Sequence, residues 1–353
     1  MPDPETFRGL YIGDDRTAVL KTVPLPPLGE DQVRVRTEFA SIKHGTEFYN
    51  LSGHSPFDTQ RYDGDLQLFV PLDEAESAKP FAGGFVGNTA VGTVIEAGGA
   101  VTAFRTGDWV YGYGPACELL TGKEDQFHPL TAPLTEADAV CIDPAFIAYA
   151  AVRDAHVCLG DNVIVFGLGA IGLFTVQMLK QAGCLHIIAV DLFDRRRTLA
   201  ETFGADLTLD PARCDVAMEV RRFLGHGADI AIEASGSYKA LREAIRSVRK
   251  CARILTLGFY HGKDTDLHLD KEWFHNRLEM ICSLPDWGNP LRDYPLWTRE
   301  RVGEAVTEMF RRKTLISDGI LDPIVDFADA AHAFREIFEN PLQAIKLGIR
   351  FPH

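Results

Sequence analysis

Two rhythms of apolar and polar positions run along this chain, and they change over near residue 156. The earlier stretch reads as half-buried strands. Val33-Arg-Val-Arg-Thr alternates with a period of two, and Val91-Gly-Thr-Val-Ile-Glu-Ala-Gly and Gly107-Asp-Trp-Val-Tyr-Gly are apolar runs bounded by glycine turns. Residues 56–82 are polar, aromatic and irregular, which predicts a loop near an active site. After residue 156, strands alternate with helical patterns. The order is strand 163–166, helix 170–182, strand 187–191, helix 194–203, strand 229–233, helix 237–248, strand 252–257 and strand 278–282. This predicts an α/β fold with a doubly wound parallel sheet. Helical patterns at 299–312 and 329–339 follow, and Ala344-Ile-Lys-Leu-Gly-Ile-Arg-Phe351 reads as a strand. A terminal strand after helices does not suit the doubly wound unit, so the chain is expected to return to its first domain. The expected division is 1–155 with 296–353 returning to it, and 156–295.

The turn out of the strand at 163–166 carries the most specific signal. Val163-Ile-Val-Phe-Gly167-Leu-Gly169-Ala170-Ile171-Gly172 places Gly-x-Gly-x-x-Gly between a strand and a helix, and the next strand ends in Asp191. Spacing and context match the dinucleotide fingerprint, in which an acid lies about 20 residues beyond the glycines. Gly167 permits the tight turn, Gly169 lets pyrophosphate approach the backbone, and Gly172 lets the helix pack on the strand. The pyrophosphate then rests on the unpaired N–H groups of the helix starting near Ala170. Asp191 suits the hydroxyls of an unphosphorylated ribose, so NAD is the expected cofactor. Arg195, Arg196 and Arg197 follow and weigh slightly the other way, since an arginine there can meet a 2′-phosphate. Ser235 with Gly236, and Gly258 with Phe259, follow the ends of later strands and are expected to complete the cofactor site.

Length and charge narrow the function. A chain of 353 residues exceeds one typical core. A net charge of −14 argues against nucleic acid or anionic membrane as partner. No apolar run is long enough to span a bilayer. The start, Met1-Pro-Asp-Pro-Glu, lacks the features of a secretory leader, and 7 scattered cysteines form no Cys-x-x-Cys. A cytoplasmic protein with reduced thiols is expected.

The order of parts resembles the medium-chain dehydrogenase/reductase superfamily across nearly the whole chain. The matching residues are Val91-Gly-Thr-Val, Gly107-Asp-Trp-Val, Gly160-Asp-Asn-Val-Ile-Val-Phe-Gly-Leu-Gly-Ala-Ile-Gly172 and Ala344-Ile-Lys-Leu. The resemblance implies a GroES-like β-rich catalytic domain plus a Rossmann domain, and a homodimer or homotetramer. It also implies positions for a catalytic zinc, but here they hold other residues. Lys43 stands for the cysteine ligand, Asn88 and Thr89 for the His-Glu pair, and Ile142 for the third ligand. The four-cysteine structural lobe is missing, with only Cys117 in that region. Lysine and asparagine are poor substitutes for imidazole and thiolate, so no metal is expected. Lys43-His-Gly-Thr-Glu47, Gly112-Tyr-Gly-Pro115, Asp143-Pro-Ala145 with Val152-Arg-Asp154, and Asp293-Tyr-Pro295 resemble a smaller branch that oxidises the C3 hydroxyl of glycosides with NAD.

Alcohol oxidation without zinc needs a side chain to take the hydroxyl proton. Lys43 is the first candidate; desolvation beside a positively charged nicotinamide would lower its pKa into a usable range. Otherwise it is a surface lysine opening a helix, or binds substrate only. The position of His44 in the resembling family approaches the cofactor pyrophosphate, so charge neutralisation or proton relay is open, as is a structural role. Glu47, one turn on, can hold the Lys43 ammonium or serve only the helix dipole. Asn88 can bond the alcohol or Lys43, or be a turn residue. Asp143 can orient Lys43 or bind a sugar hydroxyl, or cap a following helix. Gly45 and Phe48 fall where the zinc enzymes carry their proton relay. His54, Asp58, Tyr62, Tyr113, Trp287 and Trp297 are candidate sugar contacts. The expected function is NAD-dependent oxidation of a sugar or glycoside hydroxyl. The alternatives are a zinc-free quinone or enoyl reductase, a polyol or cyclitol dehydrogenase whose metal site is rebuilt from Glu47, His54 or Asp143, and a non-catalytic relative.

Overall fold

The computed structural model describes residues 6–52, 55–73, 83–260, 267–284 and 297–352. The chain divides into two compact units, 1–140 with 321–353, and 141–320.

The first unit is the β-rich one. Its largest described sheet runs Phe127–Pro129, Trp109–Pro115, Gly87–Ala97, Gln32–Ser41, Lys346–Arg350, Leu321–Asp326, with Leu119–Lys123 also paired to Gln32–Ser41. The expected return strand therefore lies within this sheet, second from its edge. It lies antiparallel to Gln32–Ser41, with Gly348 opposite Ser41 and Ile349 opposite Ala40. Its register follows from burial, since Leu347 and Ile349 reach 0% exposure in the same core as Val33, Val35 and Phe334. The helix Ala330–Glu339 seals this core with Phe334 and Ile337. Burying each such side chain stabilises by roughly 1.5–3 kcal/mol.

The loop expected over 56–82 is partly ordered into a turn at Pro56–Asp58 and a hairpin, Gln60–Asp63 with Leu68–Pro71. Alternating exposed aromatics, Tyr62 on Phe69, carry that hairpin without a deep core. The remainder of that stretch, 74–82, lies outside the described residues, as do His54, Trp287 and Asp293-Tyr-Pro295.

The second unit holds the parallel sheet. Its described strands run Leu207–Leu209, His186–Val190, Asn162–Phe166, Ala228–Glu233, Val248–Thr256, Glu279–Cys282, all parallel. Chain order reverses between Asn162–Phe166 and Ala228–Glu233, which defines the switch point where such sheets bind ligands. The helix Ala170–Ala182 ends at Gly183, whose φ of 82° lets its N–H cap Leu179 and Lys180 carbonyls.

The boundaries differ from those expected at 155/156 and 295/296. The first division falls at 140/141, inside the helix Glu136–Asp154, and the end of that helix is tied into the second unit. Arg253 Nη1 donates to Ala155 O at 2.9 Å, and Ser283 Oγ donates to Asp154 Oδ2 at 2.6 Å. Similarly, the helix Arg299–Arg311 stays with the parallel-sheet unit, where Phe310 packs edge-on against Phe174 at 5.6 Å. No described helix is long and apolar enough to cross a membrane.

Candidate active site

The glycine fingerprint, Asp191 and the Ser235 and Gly258 turns all lie in the second unit, whereas His44 lies in the first. Gly167 sits at φ 86°, and a Cβ there would lie 2.7 Å from Ser235 Cβ and 2.8 Å from Ser235 N. A Cβ on Gly172 would overlap the Gly167 carbonyl, so helix and turn are in backbone contact. At Gly169 the same construction meets nothing within 4 Å. The start of the helix Ala170–Ala182 has no side-chain cap, so its first N–H groups, at Ala170, Ile171 and Gly172, are not taken by a capping side chain. A dinucleotide pyrophosphate fits this arrangement.

Asp191 follows the strand His186–Val190 and is 7% exposed. Its Oδ2 accepts from Leu168 N at 2.7 Å and its Oδ1 from Phe193 N at 2.9 Å. The carboxylate thus fixes the glycine turn and still has lone pairs for ribose hydroxyls. Arg196 faces it, Nη1 to Oδ2 at 3.6 Å, with its guanidinium 4.8 Å from the Phe193 ring. On the other side of the switch point, Ser235 abuts Gly167, and a Cβ on Gly236 or Gly258 would collide with the opposing loop backbone. Phe259 is 42% exposed beside them.

Two residues of this wall were not among the candidates. Glu233 ends the strand Ala228–Glu233 at 0% exposure. It accepts from Ser235 N at 2.8 Å, Gly236 N at 3.1 Å, Tyr260 Oη at 2.5 Å and Ser235 Oγ. Burial raises its pKa, opposed by its bonds to Ser235, Tyr260 and Gly236. The Tyr260 phenol is pushed up by burial and by the Glu233 charge. An acid directly after the apolar run Ile230-Ala-Ile232 was the available signal.

The first unit holds Lys43, His44 and Glu47 where the strand Gln32–Ser41 ends and the helix His44–Ser52 begins. Lys43 precedes that helix and is half-buried. Its carbonyl accepts Glu47 N at 3.1 Å, so the expected one-turn spacing holds. Burial raises the Glu47 pKa to about 7, opposed by the Gly87 backbone N–H and by the charge of Lys43. His44 Nε2 accepts from Leu347 N at 3.1 Å, and its ring stacks on Phe48 at 5.0 Å. That acceptor bond puts the ring proton of neutral His44 on Nδ1.

Asn88 is 0% exposed, closed to solvent, and accepts at Oδ1 from Lys346 Nζ at 2.9 Å. Lys346 also donates to Ile42 O at 3.1 Å. Lys346 was missed, although a lysine within the apolar run Ala344-Ile-Lys-Leu is itself a signal. Thr89 is buried at 5% exposure. Among the described residues, no group of three or more His, Cys, Asp or Glu is arranged to hold a metal ion. The donors at two of the positions that hold ligands in zinc enzymes, an ammonium and an amide oxygen already taken by a second ammonium, do not suit zinc.

Asp143 belongs to the other unit. It lies inside the helix Glu136–Asp154, just before Pro144, and does not cap a following helix. That helix opens instead on Thr135, whose Oγ1 accepts from Asp138 N at 3.1 Å. Asp58 is engaged with Arg16 at 2.9 Å and with Ser55 N at 3.1 Å. Tyr62 and Tyr113 are 50% and 71% exposed. Trp297 is flanked by the guanidiniums of Arg153 and Arg301 at 4.0 and 3.9 Å.

Comparison with known proteins bears on the family and the fold. A family model described as zinc-binding dehydrogenase matches residues 170–284, which lie within the dinucleotide unit. The chain is 35% identical over 331 residues to the D-guloside 3-dehydrogenase of Escherichia coli (strain K12), covering 91% of this chain and 93% of that protein. Among solved structures it is similar to 2R,3R-butanediol dehydrogenase from Bacillus subtilis, with a TM-score of 0.75 and 20% identity over 98% of this chain and 100% of that one. It is also similar to a zinc-binding dehydrogenase from Sinorhizobium meliloti 1021 bound to NADP, with a TM-score of 0.74 and 18% identity over 98% of this chain and 99% of that one.

Proposed function

The chain belongs to the zinc-binding dehydrogenase family of the medium-chain dehydrogenase/reductase superfamily, and from that premise we propose that it oxidises a secondary hydroxyl of a sugar without a catalytic metal. The substrate class is a glycoside and the reacting hydroxyl the one at C3, which the 35% identity to a D-guloside 3-dehydrogenase supports. The observation that carries the reading is the pairing of Lys43 and Glu47 across one helical turn, electrostatically coupled, at a position whose donors do not suit zinc.

The bound nicotinamide cofactor supplies the acceptor for the hydride leaving the carbinol carbon. Lys43, as the amine, takes the hydroxyl proton, and the C–O bond becomes a carbonyl. Glu47 holds the ammonium so formed. With its pKa near 7, Glu47 can also receive the proton and pass it on. Asn88, being fully buried, serves this pair through Lys346 and the backbone rather than by touching substrate. His44 Nε2 is engaged by Leu347 N, so His44 supports the return strand at the edge of this cluster.

NAD is the proposed cofactor; the carboxylate of Asp191, fixed at the end of its strand by two backbone N–H groups, supports recognition of ribose hydroxyls. Arg196 opposite Asp191 tempers the repulsion of a 2′-phosphate, so the preference for NAD is a matter of degree.

The test is NADH formation by chelator-treated protein, metal content verified, against methyl glycosides, free aldoses, inositols and simple alcohols. Turnover of glycosides without metal supports the reading. Turnover that appears only on adding zinc overturns the metal-free part, and turnover confined to simple alcohols overturns the sugar part.

A further inference from the structure

Residues 55–83 connect the two segments that form the Lys43–Glu47 cluster. The helix His44–Ser52 leads into this stretch, and the chain rejoins the fold at Gly84-Phe85, just before Gly87, whose N–H bonds the Glu47 carboxylate. One turn of the first hairpin clamps both ends. Arg16 Nη2 donates to Asp58 Oδ1 at 2.9 Å, and Gly83 N donates to Asp14 Oδ1 at 3.0 Å. The stretch is therefore rooted at the cluster on both sides.

Its described part is preformed. Ser55 Oγ accepts from Phe57 N at 3.2 Å, and Asp58 Oδ2 accepts from Ser55 N at 3.1 Å. Asp63 Oδ1 accepts from Asp65 N at 3.1 Å and Leu66 N at 2.9 Å, which fixes the bend of the hairpin. Tyr62 stands directly opposite Phe69. The Phe69 ring lies 5.5 Å from that of Tyr62 and 5.4 Å from that of Phe57. The three rings form one run of aromatic contacts, yet Tyr62, Phe69 and Phe57 are 50%, 45% and 37% exposed. Aromatic side chains of this kind bury about 150–250 Å² each, so the bare area of the three is about 250 Å². A stable dimer needs about 800 Å² from each partner. The patch is too small for a second copy of the chain and suits a ligand of one ring. The C–H groups on the face of a pyranose are slightly positive and stack on the negative face of an aromatic ring, while the hydroxyls stay in water. Gln60, two positions before Tyr62 on the same face of the strand, adds an amide that can donate to or accept from those hydroxyls.

We propose that the Phe57, Phe69 and Tyr62 rings are a subsite for a second sugar ring, the one joined through C1 to the ring that is oxidised. The substrate class is then a disaccharide or larger glycoside. These side chains determine specificity and leave the chemistry to the Lys43–Glu47 cluster. The inference rests on the glycoside oxidation proposed above.

The test compares methyl β-D-glucoside with methyl β-cellobioside, and methyl β-D-galactoside with methyl β-lactoside. Each pair shares the ring to be oxidised and differs by the second ring. The readout is the ratio of kcat/KM, disaccharide over monosaccharide, in the full-length wild type, Tyr62→Ala, Phe69→Ala and Tyr62→Phe. The wild type should prefer the disaccharide about tenfold, chiefly through KM, in a pair that it turns over. Tyr62→Ala and Phe69→Ala should each lower that ratio about three- to tenfold, and Tyr62→Phe, which keeps the ring, should hold it within about twofold. Should the alanine variants fail to fold, Phe69→Leu, which keeps apolar bulk without a ring face, decides by the same ratio.

A wild-type ratio of one or less overturns this inference alone, as does oxidation of methyl glycosides but of neither disaccharide. Ring-deleting variants that keep the wild-type ratio also overturn it, even where both rates fall together. A wild type silent toward every glycoside overturns the activity itself, and this inference with it.

Discussion

Replacing Tyr260 by Phe removes one oxygen and should loosen the dinucleotide wall in a pH-dependent way. Glu233 is fully buried, and the Tyr260 hydroxyl bonds its carboxylate at 2.5 Å, beside donors from Ser235 and Gly236. A hydrogen bond to a charged group contributes roughly 1.5–3 kcal/mol. In a unit the size of 141–320, a loss of about 2 kcal/mol lowers Tm by about 4–8 °C. The pH dependence has a definite sign. Burial already raises the Glu233 pKa above 4.5, so the folded state holds that proton more tightly than the unfolded state. The stability this group contributes is complete below 4.5 and is lost as pH rises through the folded value.

The Tyr260 bond opposes that rise, and deleting it raises the folded pKa further. The deficit of the variant is therefore largest where Glu233 is ionised. It shrinks toward the value of a neutral hydrogen bond, about 1 kcal/mol, once the carboxyl is protonated. Urea or thermal unfolding of both proteins at about pH 8 and about pH 4.5 reads this difference directly. The same substitution frees the loop contact between Gly236 and Gly258, and NADH should bind about five- to tenfold more weakly, roughly 1–1.4 kcal/mol. Equal Tm and equal NADH affinity at both pH values would refute the reasoning.

Glu47 should impose an ascending limb on kcat/KM through about pH 7, and Glu47→Gln should flatten it; a limb that survives the substitution assigns it to another group. The same raised pKa means the stability contributed by Glu47 is complete below 4.5 and lost as pH rises through about 7. Glu47→Gln should accordingly gain up to roughly 3 kcal/mol relative to wild type at alkaline pH and little at acid pH, read from urea midpoints. Asp191→Ala releases the Leu168 and Phe193 N–H groups and leaves Arg196 facing the ribose position, so the NAD KM should rise and the preference over NADP should fall about tenfold, roughly 1.4 kcal/mol; an unchanged ratio would place the acid elsewhere.

The dinucleotide unit was legible because its signals are local. The glycine fingerprint, the apolar strand before it and Asp191 fall within one strand-helix-strand passage, and the helix at 170–182 has the bounds expected of it. The helix Glu136–Asp154 was not legible, because it is buried on nearly every side, from Ala139 and Val140 to Ala148 and Ala151, and so shows no apolar stripe. Pro144 inside it further disguised it. The grouping of Lys43, His44 and Glu47 was legible for the same reason of proximity, since they share one turn. Lys346 was not, because its bond to Ile42 spans 304 positions and exists only once the return strand pairs with Gln32–Ser41. The tie between Glu233 and Tyr260 likewise joins loops that only the parallel sheet brings side by side.

The most direct test of metal-free oxidation by a lysine base is the rate of NADH formation from a methyl glycoside by verified metal-free Lys43→Met, with NADH binding confirmed in the same preparation. A fall of about 100- to 10,000-fold in kcat with NADH affinity unchanged is the expected result. Turnover close to that of the wild type would contradict it and remove Lys43 from the chemistry.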